Sequence, residues 1–217
     1  MSLPRPVRLA ARRATLIERL LQDGSSDKRT LTRSLDSSRT TVHRALDDLL
    51  DAGLVAREDN GSYRATVSGR VACESYRQFE ADAEAAVGAA DVLEPLPANS
   101  PIPAHVIRDA EIIRSEHPTP GRPLSILRAA AQHAEVVSLP TLLDESMLDS
   151  TGRVLVTRAV ADAIDRDDVR VGDVPVFALV IAPPEVLIGI PDASGVCGVL
   201  RCDSEESLRW ARDVLPG

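Results

Sequence analysis

The residues best suited to chemistry lie in one short stretch, Ser38-Arg39-Thr40-Thr41-Val42-His43-Arg44. It combines three hydroxyl groups, an imidazole and two guanidinium groups. Short donors and acceptors together with arginine, presented by the first turns of a helix, suit the base edges in the major groove of double-stranded DNA. The pattern predicts DNA contacts from the following residues: Ser38, Arg39, Thr40, Thr41, His43 and Arg44.

Two further arginines belong to the same prediction. Arg57 and Arg64 flank a hairpin turn signal, Asp59-Asn60-Gly61. An arginine near the tip of a hairpin can contact the phosphate backbone. We therefore add Arg57 and Arg64 to the predicted DNA-binding residues.

Several other kinds of chemistry lack the residues that they need. The chain has 24 arginines but a single lysine, Lys28, which follows no glycine-rich loop. Schiff-base chemistry and a phosphate-binding P-loop are therefore excluded. No Gly-x-Ser-x-Gly elbow occurs, and His105, His117 and His133 lack the spacing of metal ligands. We expect no catalytic residue, no metal and no cofactor, and so not an enzyme.

Three cysteines are too few and too widely separated for a disulfide scaffold, which favours a reducing compartment. The acidic residues Asp165, Asp167 and Asp168 are predicted to form a solvated turn and not a cation site. Residues 1–13 lack the apolar run of a signal peptide, and the apolar stretch of residues 174–191 is interrupted by prolines. We expect a cytoplasmic protein that does not contact a membrane.

Helices must position the candidate residues. A first helix is predicted from Arg13 to Gln22, with one apolar face and an end at Asp23-Gly24. Asp27 is suited to cap a short second helix, and Ser38 a third that runs from Arg39 to about Ala52. Gly53 is placed to end this third helix. The apolar faces of the first and third helices are predicted to contain Leu16, Ile17, Leu20, Leu21, Val42, Ala45, Leu46, Leu49 and Leu50.

Helix, helix, turn, helix and hairpin follow the winged helix-turn-helix plan, predicted here for residues 1–68. The stretch Leu31 to Val55, above all Ser38-Arg39-Thr40-Thr41-Val42-His43-Arg44-Ala45-Leu46 followed by Ala52-Gly53-Leu54-Val55, resembles the recognition helix and wing entry of archaeal winged-helix transcription regulators. The alternative is that this trihelical unit contacts other proteins.

A long helix is predicted from Ser68 to about Val92, so that residues 69–92 form a connecting or dimerisation helix. One narrow stripe contains Val71, Ser75, Phe79, Ala83, Ala86 and Ala90. The resemblance to winged-helix regulators implies that a helix at this place pairs two subunits in a homodimer. The spacing itself allows this equally with packing inside one chain.

Four prolines within residues 93–103 predict a linker or an extended connection. Residues 104–217 alternate strand-like and helix-like runs, which predicts an α/β domain with a largely parallel sheet. Three β-rich runs, Val176 to Ala182, Glu185 to Ile190 and Val196 to Arg201, predict a closing antiparallel meander before a last helix, Ser204 to Leu215. The fold class of the whole chain is therefore α+β or α/β.

The C-terminal part also resembles a known family. The stretches Pro175-Val176-Phe177-Ala178-Leu179-Val180-Ile181, Glu185-Val186-Leu187-Ile188 and Val199-Leu200-Arg201-Cys202-Asp203 resemble the C-terminal domain of TrmB-like and filament and methanogenesis regulators. The resemblance implies a phospholipase D-like fold without its chemistry. The sequence agrees, because a His-x-Lys motif needs a lysine and Lys28 lies in the other domain.

Charge is divided unevenly along the chain. Residues 1–80 carry 14 basic and 11 acidic side chains, whereas residues 81–217 carry 11 and 22. The respective net charges are +3 and −11, so only the first half suits a polyanion, unless the asymmetry is chance clustering on two solvated surfaces. The acidic excess with arginine in place of lysine is typical of a halophilic, GC-rich genome.

The favoured interpretation is an archaeal transcriptional regulator whose winged helix contacts operator DNA and whose C-terminal domain senses an effector, dimerises or does both. The effector would be a small molecule whose identity the sequence does not reveal. The alternative is a small-molecule-binding protein or enzyme whose N-terminal module contacts proteins. A purely structural adaptor, with neither DNA affinity nor a ligand, is the third interpretation.

Overall fold

The computed structural model describes residues 4–164, 166–193 and 195–215. It divides into two compact units, Met1–Ala81 and Asp82–Gly217. The boundary follows the change in charge along the sequence. Each unit has its own hydrophobic core, and each is described by itself.

The first unit begins with three helices: α1 (Arg5–Asp23), α2 (Lys28–Ser34) and α3 (Arg39–Asp51). Helix α1 starts eight residues before the predicted Arg13 because Pro6 suits its first turn and small buried residues, Ala10 and Ala14, extend its apolar face. Arg13 itself has non-helical dihedral angles and marks a kink. Leu21, predicted on the buried face, is exposed.

The ends of α2 and α3 are formed by the residues that the sequence predicts. The Asp27 carboxylate accepts hydrogen bonds from the backbone N–H groups of Arg29 and Thr30 at 2.8 and 2.9 Å. At the end of α3, Gly53 has a φ of +69°. The Leu54 N–H donates to the Leu49 carbonyl and the Gly53 N–H to the Leu50 carbonyl, at 2.9 and 3.0 Å. This Schellman arrangement needs a left-handed residue, which glycine adopts without strain.

A hairpin follows α3. Strands β1 (Val55–Arg57) and β2 (Tyr63–Ala65) pair antiparallel, and Gly61 takes a φ of +84° in the turn. Ser26, which lies between α1 and α2, forms an additional antiparallel bridge to Tyr63 through two backbone hydrogen bonds of 2.9 Å. The sequence did not predict this bridge, which ties the α1–α2 connection to the hairpin.

Helix α4 (Val67–Gly88) is shorter than the predicted helix to Val92, because Ala89 leaves the helical conformation before a short α5 (Ala90–Leu93). Ala89 and Val92 are buried in the second unit. Val92 packs where Gly198 has no side chain, since a Cβ there would lie 2.6 Å from a Val92 methyl. The interruption between α4 and α5 thus coincides with the burial of Val92.

The second unit contains a mixed sheet, and the expectation of a largely parallel one is wrong. Seven strands of the described residues have the order β3-β9-β8-β7-β4-β5-β6, and only β4, β5 and β6 pair in parallel. The meander β7-β8-β9, of which β7 is completely buried, occupies the centre of the sheet and separates β3 from β4. The strands are β3 (Glu111–Arg114), β4 (Val136–Leu139), β5 (Arg153–Val156), β6 (Arg170–Val171), β7 (Ala178–Ala182), β8 (Glu185–Asp192) and β9 (Gly195–Cys202).

The antiparallel meander β7-β8-β9 is as predicted. The helices of this unit are α6 (Ala104–Asp109), α7 (Arg122–Ala131), α8 (Arg158–Ala163) and α9 (Glu205–Asp213). A 3₁₀ segment, Glu145–Asp149, lies between β4 and β5. The Ser204 side chain caps α9 by accepting from the Ser207 N–H at 3.1 Å.

The proline-rich segment 93–103, predicted as a linker, lies inside the second unit. Leu96 and Ile102 pack against the core formed by Phe177 and its neighbours. The Trp210 indole N–H donates to the Pro101 carbonyl at 2.9 Å. Turns occupy most of residues 94–99, so the segment is not extended throughout, and it covers part of the core instead of tethering two domains.

Candidate nucleic-acid interface

Helix α3 separates its apolar and polar residues onto two faces. Val42, Ala45, Leu46 and Leu49 are buried in the core of the first unit. The predicted DNA-binding residues of the helix and its cap are all exposed: Ser38, Arg39, Thr40, Thr41, His43 and Arg44. The spacing of the buried residues, i, i+3, i+4 and i+7, fixes which side of α3 faces solvent.

Ser38 and Thr41 serve the start of the helix. The Ser38 hydroxyl accepts from the Thr41 N–H at 3.1 Å, and the two hydroxyl oxygens lie 2.8 Å apart. Ser38 therefore caps α3, as predicted. Because each hydroxyl has one donor and two acceptor positions, both can still contact a further group.

Arg39, Thr40 and Arg44 have no ion pair or side-chain hydrogen bond to the rest of the described chain. Arg29 and Arg33 of α2 are likewise exposed and form no ion pair among the residues the structure describes. A guanidinium presents five N–H donors in a planar fork that matches phosphate and guanine. The first unit thus presents four arginines from α2 and α3 whose donors are available.

His43 has close polar neighbours, which sequence reasoning missed. The Lys28 ammonium lies 2.8 Å from His43 Nδ1, and His43 Nε2 lies 3.6 Å from an Asp47 carboxylate oxygen. The Lys28 ammonium is also 5.6 Å from the centre of the Tyr63 ring. Asp47 follows His43 at i+4, a spacing that signals a contact, whereas Lys28 lies on another helix.

The hairpin does not bring Arg57 and Arg64 together. Arg57 pairs with Tyr63 across the hairpin and Arg64 with Ala56, which places the two arginines on opposite faces. Arg64 is 3.6 Å from the Glu58 carboxylate, whereas the Arg57 guanidinium lies beside Gly61 at the turn. Both arginines are exposed.

Two carboxylates of this unit are fixed by hydrogen bonds. The backbone N–H groups of Thr30 and Arg29 keep the pKa of Asp27 below its usual value, which matches its role as the cap of α2. Hydrogen bonds from Arg77 on α4 lower the pKa of Glu18 on α1, and one of them measures 2.8 Å. Both groups are therefore ionised near neutral pH.

Among the described residues, no group of three His, Cys, Asp or Glu side chains could hold a metal ion. Asp168 instead forms an ion pair with Arg166 at 2.6 Å, and Asp165 lies outside the described residues. The three cysteines are free thiols. In the part of the chain that the structure describes, no helix is long and apolar enough to cross a membrane.

Comparison with known proteins finds a family model that matches most of the first unit. Residues 6–87 match the family model described as the HVO_A0261 N-terminal domain, which is haloarchaeal. The match comprises α1 to α3, the hairpin and nearly all of α4, which is less than half of the chain. A search of the curated proteins finds no match.

Two solved structures resemble the chain weakly. TrmBL2, an archaeal chromatin protein described as showing a novel mode of DNA binding, is 10% identical with a TM-score of 0.34, over 94% of this chain and 89% of that one. The S-adenosylmethionine-dependent methyltransferase SibL is 15% identical with a TM-score of 0.33, over 79% of this chain and 63% of that one. The phospholipase D-like fold expected for residues 104–217 stays a prediction.

Proposed function

We propose that the chain is a DNA-binding transcriptional regulator in which α3 contacts base edges in the major groove. The observation that supports this most directly is the exposed polar face of α3. Arg39, Thr40, His43 and Arg44 lie on this face, opposite the side chains that fix the helix to its core. A helix held in this way can enter the groove without disturbing the unit.

The neighbouring elements support a winged helix-turn-helix function for residues 1–68. Helices α2 and α3 are joined by a tight turn, and the hairpin β1-β2 follows with its third partner at Ser26. In this arrangement Arg57 and Arg64 contact phosphate groups beside the groove. The proposal depends on this geometry, and the weak likeness to TrmBL2 contributes nothing to it.

We further propose that two chains pair through α4. Phe79 is 70% exposed, and Ala83 and Ala86 follow it at i+4 and i+7 on the same side of the helix. A large aromatic side chain exposed within an apolar stripe is typical of an interface. A homodimer would contact two half-sites about one helical turn apart, and so bind more base pairs than one α3 can.

In this proposal the second unit has no catalytic role and acts in dimerisation, in sensing a small molecule, or in both. Its excess of acidic side chains opposes contact with DNA. The protein would act in the cytoplasm. Thermal unfolding with a panel of metabolites tests the sensing role, since a ligand of the folded state raises the melting temperature of the second unit.

Fluorescence anisotropy with random-sequence DNA duplexes tests the proposed function. The full chain should bind, and the double variant Arg39→Ala/Arg44→Ala should bind at least about tenfold more weakly because two cationic contacts are lost. The matched control is Arg158→Ala/Arg209→Ala, which removes two exposed arginines from the second unit. Equal binding by the two double variants would contradict the proposal.

A further inference from the structure

Lys28 is the single lysine among 25 basic side chains, and its ammonium contacts the candidate interface. It begins α2, which Asp27 caps, and lies 5.6 Å from the centre of the Tyr63 ring. Tyr63 is buried and paired on both sides, with Ser26 and with Arg57. The ammonium is therefore held between the hairpin and the exposed face of α3.

The contact with Lys28 determines which nitrogen of His43 bears the proton. A lysine ammonium has three N–H donors and no acceptor. Because its nitrogen is 2.8 Å from His43 Nδ1, Nδ1 accepts a hydrogen bond and uses its lone pair. The proton of the neutral imidazole then resides on Nε2, which becomes a donor.

The Nε2–H group has an acceptor beside it. Nε2 lies 3.6 Å from an Asp47 carboxylate oxygen, and the His43 and Asp47 side chains are 56% and 55% exposed. The two side chains thus present a donor next to an acceptor on the outer face of α3. An asparagine or glutamine amide offers the same pattern when it binds adenine in the major groove.

We propose that Lys28 is a positioning residue for base recognition, which fixes His43 as an Nε2–H donor so that His43 and Asp47 together bind the major-groove edge of adenine. The inference rests on the proposed function of α3 and specifies adenine as a base that this helix recognises. Adenine presents the N7 acceptor and the N6 donor that this pair requires. Guanine presents two acceptors, and its O6 would face the Asp47 carboxylate.

The first experiment measures base preference. Selection from a random-sequence duplex library gives the preferred site, in which each A·T pair is then replaced by G·C. At one position the replacement should weaken binding of the full chain by about 5- to 150-fold. Asp47→Ala should reduce this ratio towards one, because Nε2–H alone can contact the N7 of either purine. Lys28→Met should also reduce it, since His43 then samples both tautomers.

Two variants distinguish positioning from charge. Arg29→Met removes the neighbouring cation, which does not contact His43, and should keep the adenine preference. His43→Gln supplies an amide whose donor and acceptor do not depend on a tautomer, so this variant should keep the adenine preference. Adding Lys28→Met to His43→Gln should then leave the adenine preference unchanged. If Lys28→Met did not fold by circular dichroism, Asp47→Ala and His43→Gln would still test the pair.

The second experiment needs no DNA. In protein labelled with ¹⁵N-histidine, the His43 resonances, assigned by their absence in His43→Gln, should show the Nε2–H tautomer, and Lys28→Met should change them to a mixture. An unchanged tautomer, or an equal loss of affinity for all bases in Lys28→Met, would overturn the inference alone. Failure of the folded full chain to bind any duplex would overturn the proposed function and the base preference with it, whatever the tautomer.

Discussion

Arginine has different surroundings on α3 of the first unit and at three positions of the second unit. In the second unit, Arg108, Arg166 and Arg201 each contact two carboxylates, for example Asp82 and Asp109 around Arg108 at 2.6 and 2.9 Å. In the described part of the first unit, Arg39 and Arg44 have no such partner. The same side chain thus neutralises acid at these positions and leaves its donors available on α3, whereas Arg77 of α4 also contacts two carboxylates, Glu18 and Glu80.

The salt concentration limits what the available arginines contribute to DNA binding. Contacts between arginine and phosphate weaken steeply as salt rises, with log K falling by about 0.9 per contact and log unit of salt. A protein that works in concentrated salt must therefore depend more on contacts with base edges. The Lys28, His43 and Asp47 side chains offer such a contact, because hydrogen bonds to a base release no counterion.

The largest expected effect concerns two glycines, one in each unit, that pack closely against backbone carbonyl groups. A Cβ on Gly69 would lie 2.0 Å from the Leu54 carbonyl oxygen, and one on Gly152 would lie 2.2 Å from that of Ala134. Gly69→Ala should destabilise the first unit, and Gly152→Ala the second, each by roughly 3 kcal/mol or more because backbone must move. Hydrogen exchange resolved by residue measures which unit opens.

DNA binding provides the second measurement on the same variants. Gly69→Ala should abolish binding to any duplex, whereas Gly152→Ala should keep binding to a single half-site. Gly88→Ala is the control, since no atom lies within 4 Å of a Cβ placed there. Loss of half-site binding in Gly152→Ala would show that the acidic unit takes part in the interface.

The second prediction concerns the apolar stripe on α4. Ala86→Arg places a charge beside Phe79 and Ala83 on the exposed side of the helix. It should convert a homodimer largely to monomer without unfolding, and weaken binding to a two-half-site duplex by about 100-fold or more through lost bivalency. Light scattering measures the change in mass. If the protein without this substitution were monomeric at tens of micromolar, the proposed pairing through α4 would be contradicted.

Local chemistry made much of the first unit predictable. Asp27, Ser38 and Gly53 act at the ends of helices through hydrogen bonds within a few residues, so that their types and positions suffice. The exposed face of α3 follows in the same way from the spacing of Val42 and its apolar partners. The meander of the second unit was also predictable, since β7 is apolar throughout.

Long-range pairing could not be derived from such patterns. The bridge between Ser26 and Tyr63 joins two segments through backbone atoms alone, so no side-chain pattern marks it. Lys28 and His43 are 15 residues apart on different helices, and only their packing reveals the contact. The position of β3 beside β9 likewise depends on which strands occupy the middle of the sheet.

The third prediction tests whether an unpaired arginine of α3 contacts a base. Arg44→Ala should cost about 1 to 3 kcal/mol of binding free energy on the selected site if Arg44 contacts a base, and much less on random duplexes. Arg209→Ala, which removes an exposed arginine from the second unit, is the matched control. Equal losses on both kinds of DNA would assign Arg44 to phosphate instead, and no loss would remove it from the interface.

The smallest expected effect concerns the hairpin, where the two arginines differ in their partners. Arg64 lies near Glu58 and Arg57 does not, and they project from opposite faces. A hairpin that approaches DNA edge-on brings both faces near phosphates, so the double variant Arg57→Ala/Arg64→Ala should reduce the salt slope by about 1.8, and each single variant by about 0.9. None of these three variants should change base preference, because phosphate contacts do not distinguish sequences. Titrations of duplex binding at several salt concentrations measure the slopes. If only Arg57→Ala changed the slope, the hairpin would lie with one face on the DNA. Arg64 would then neutralise Glu58 instead of contacting phosphate, as Arg108, Arg166 and Arg201 neutralise carboxylates in the second unit.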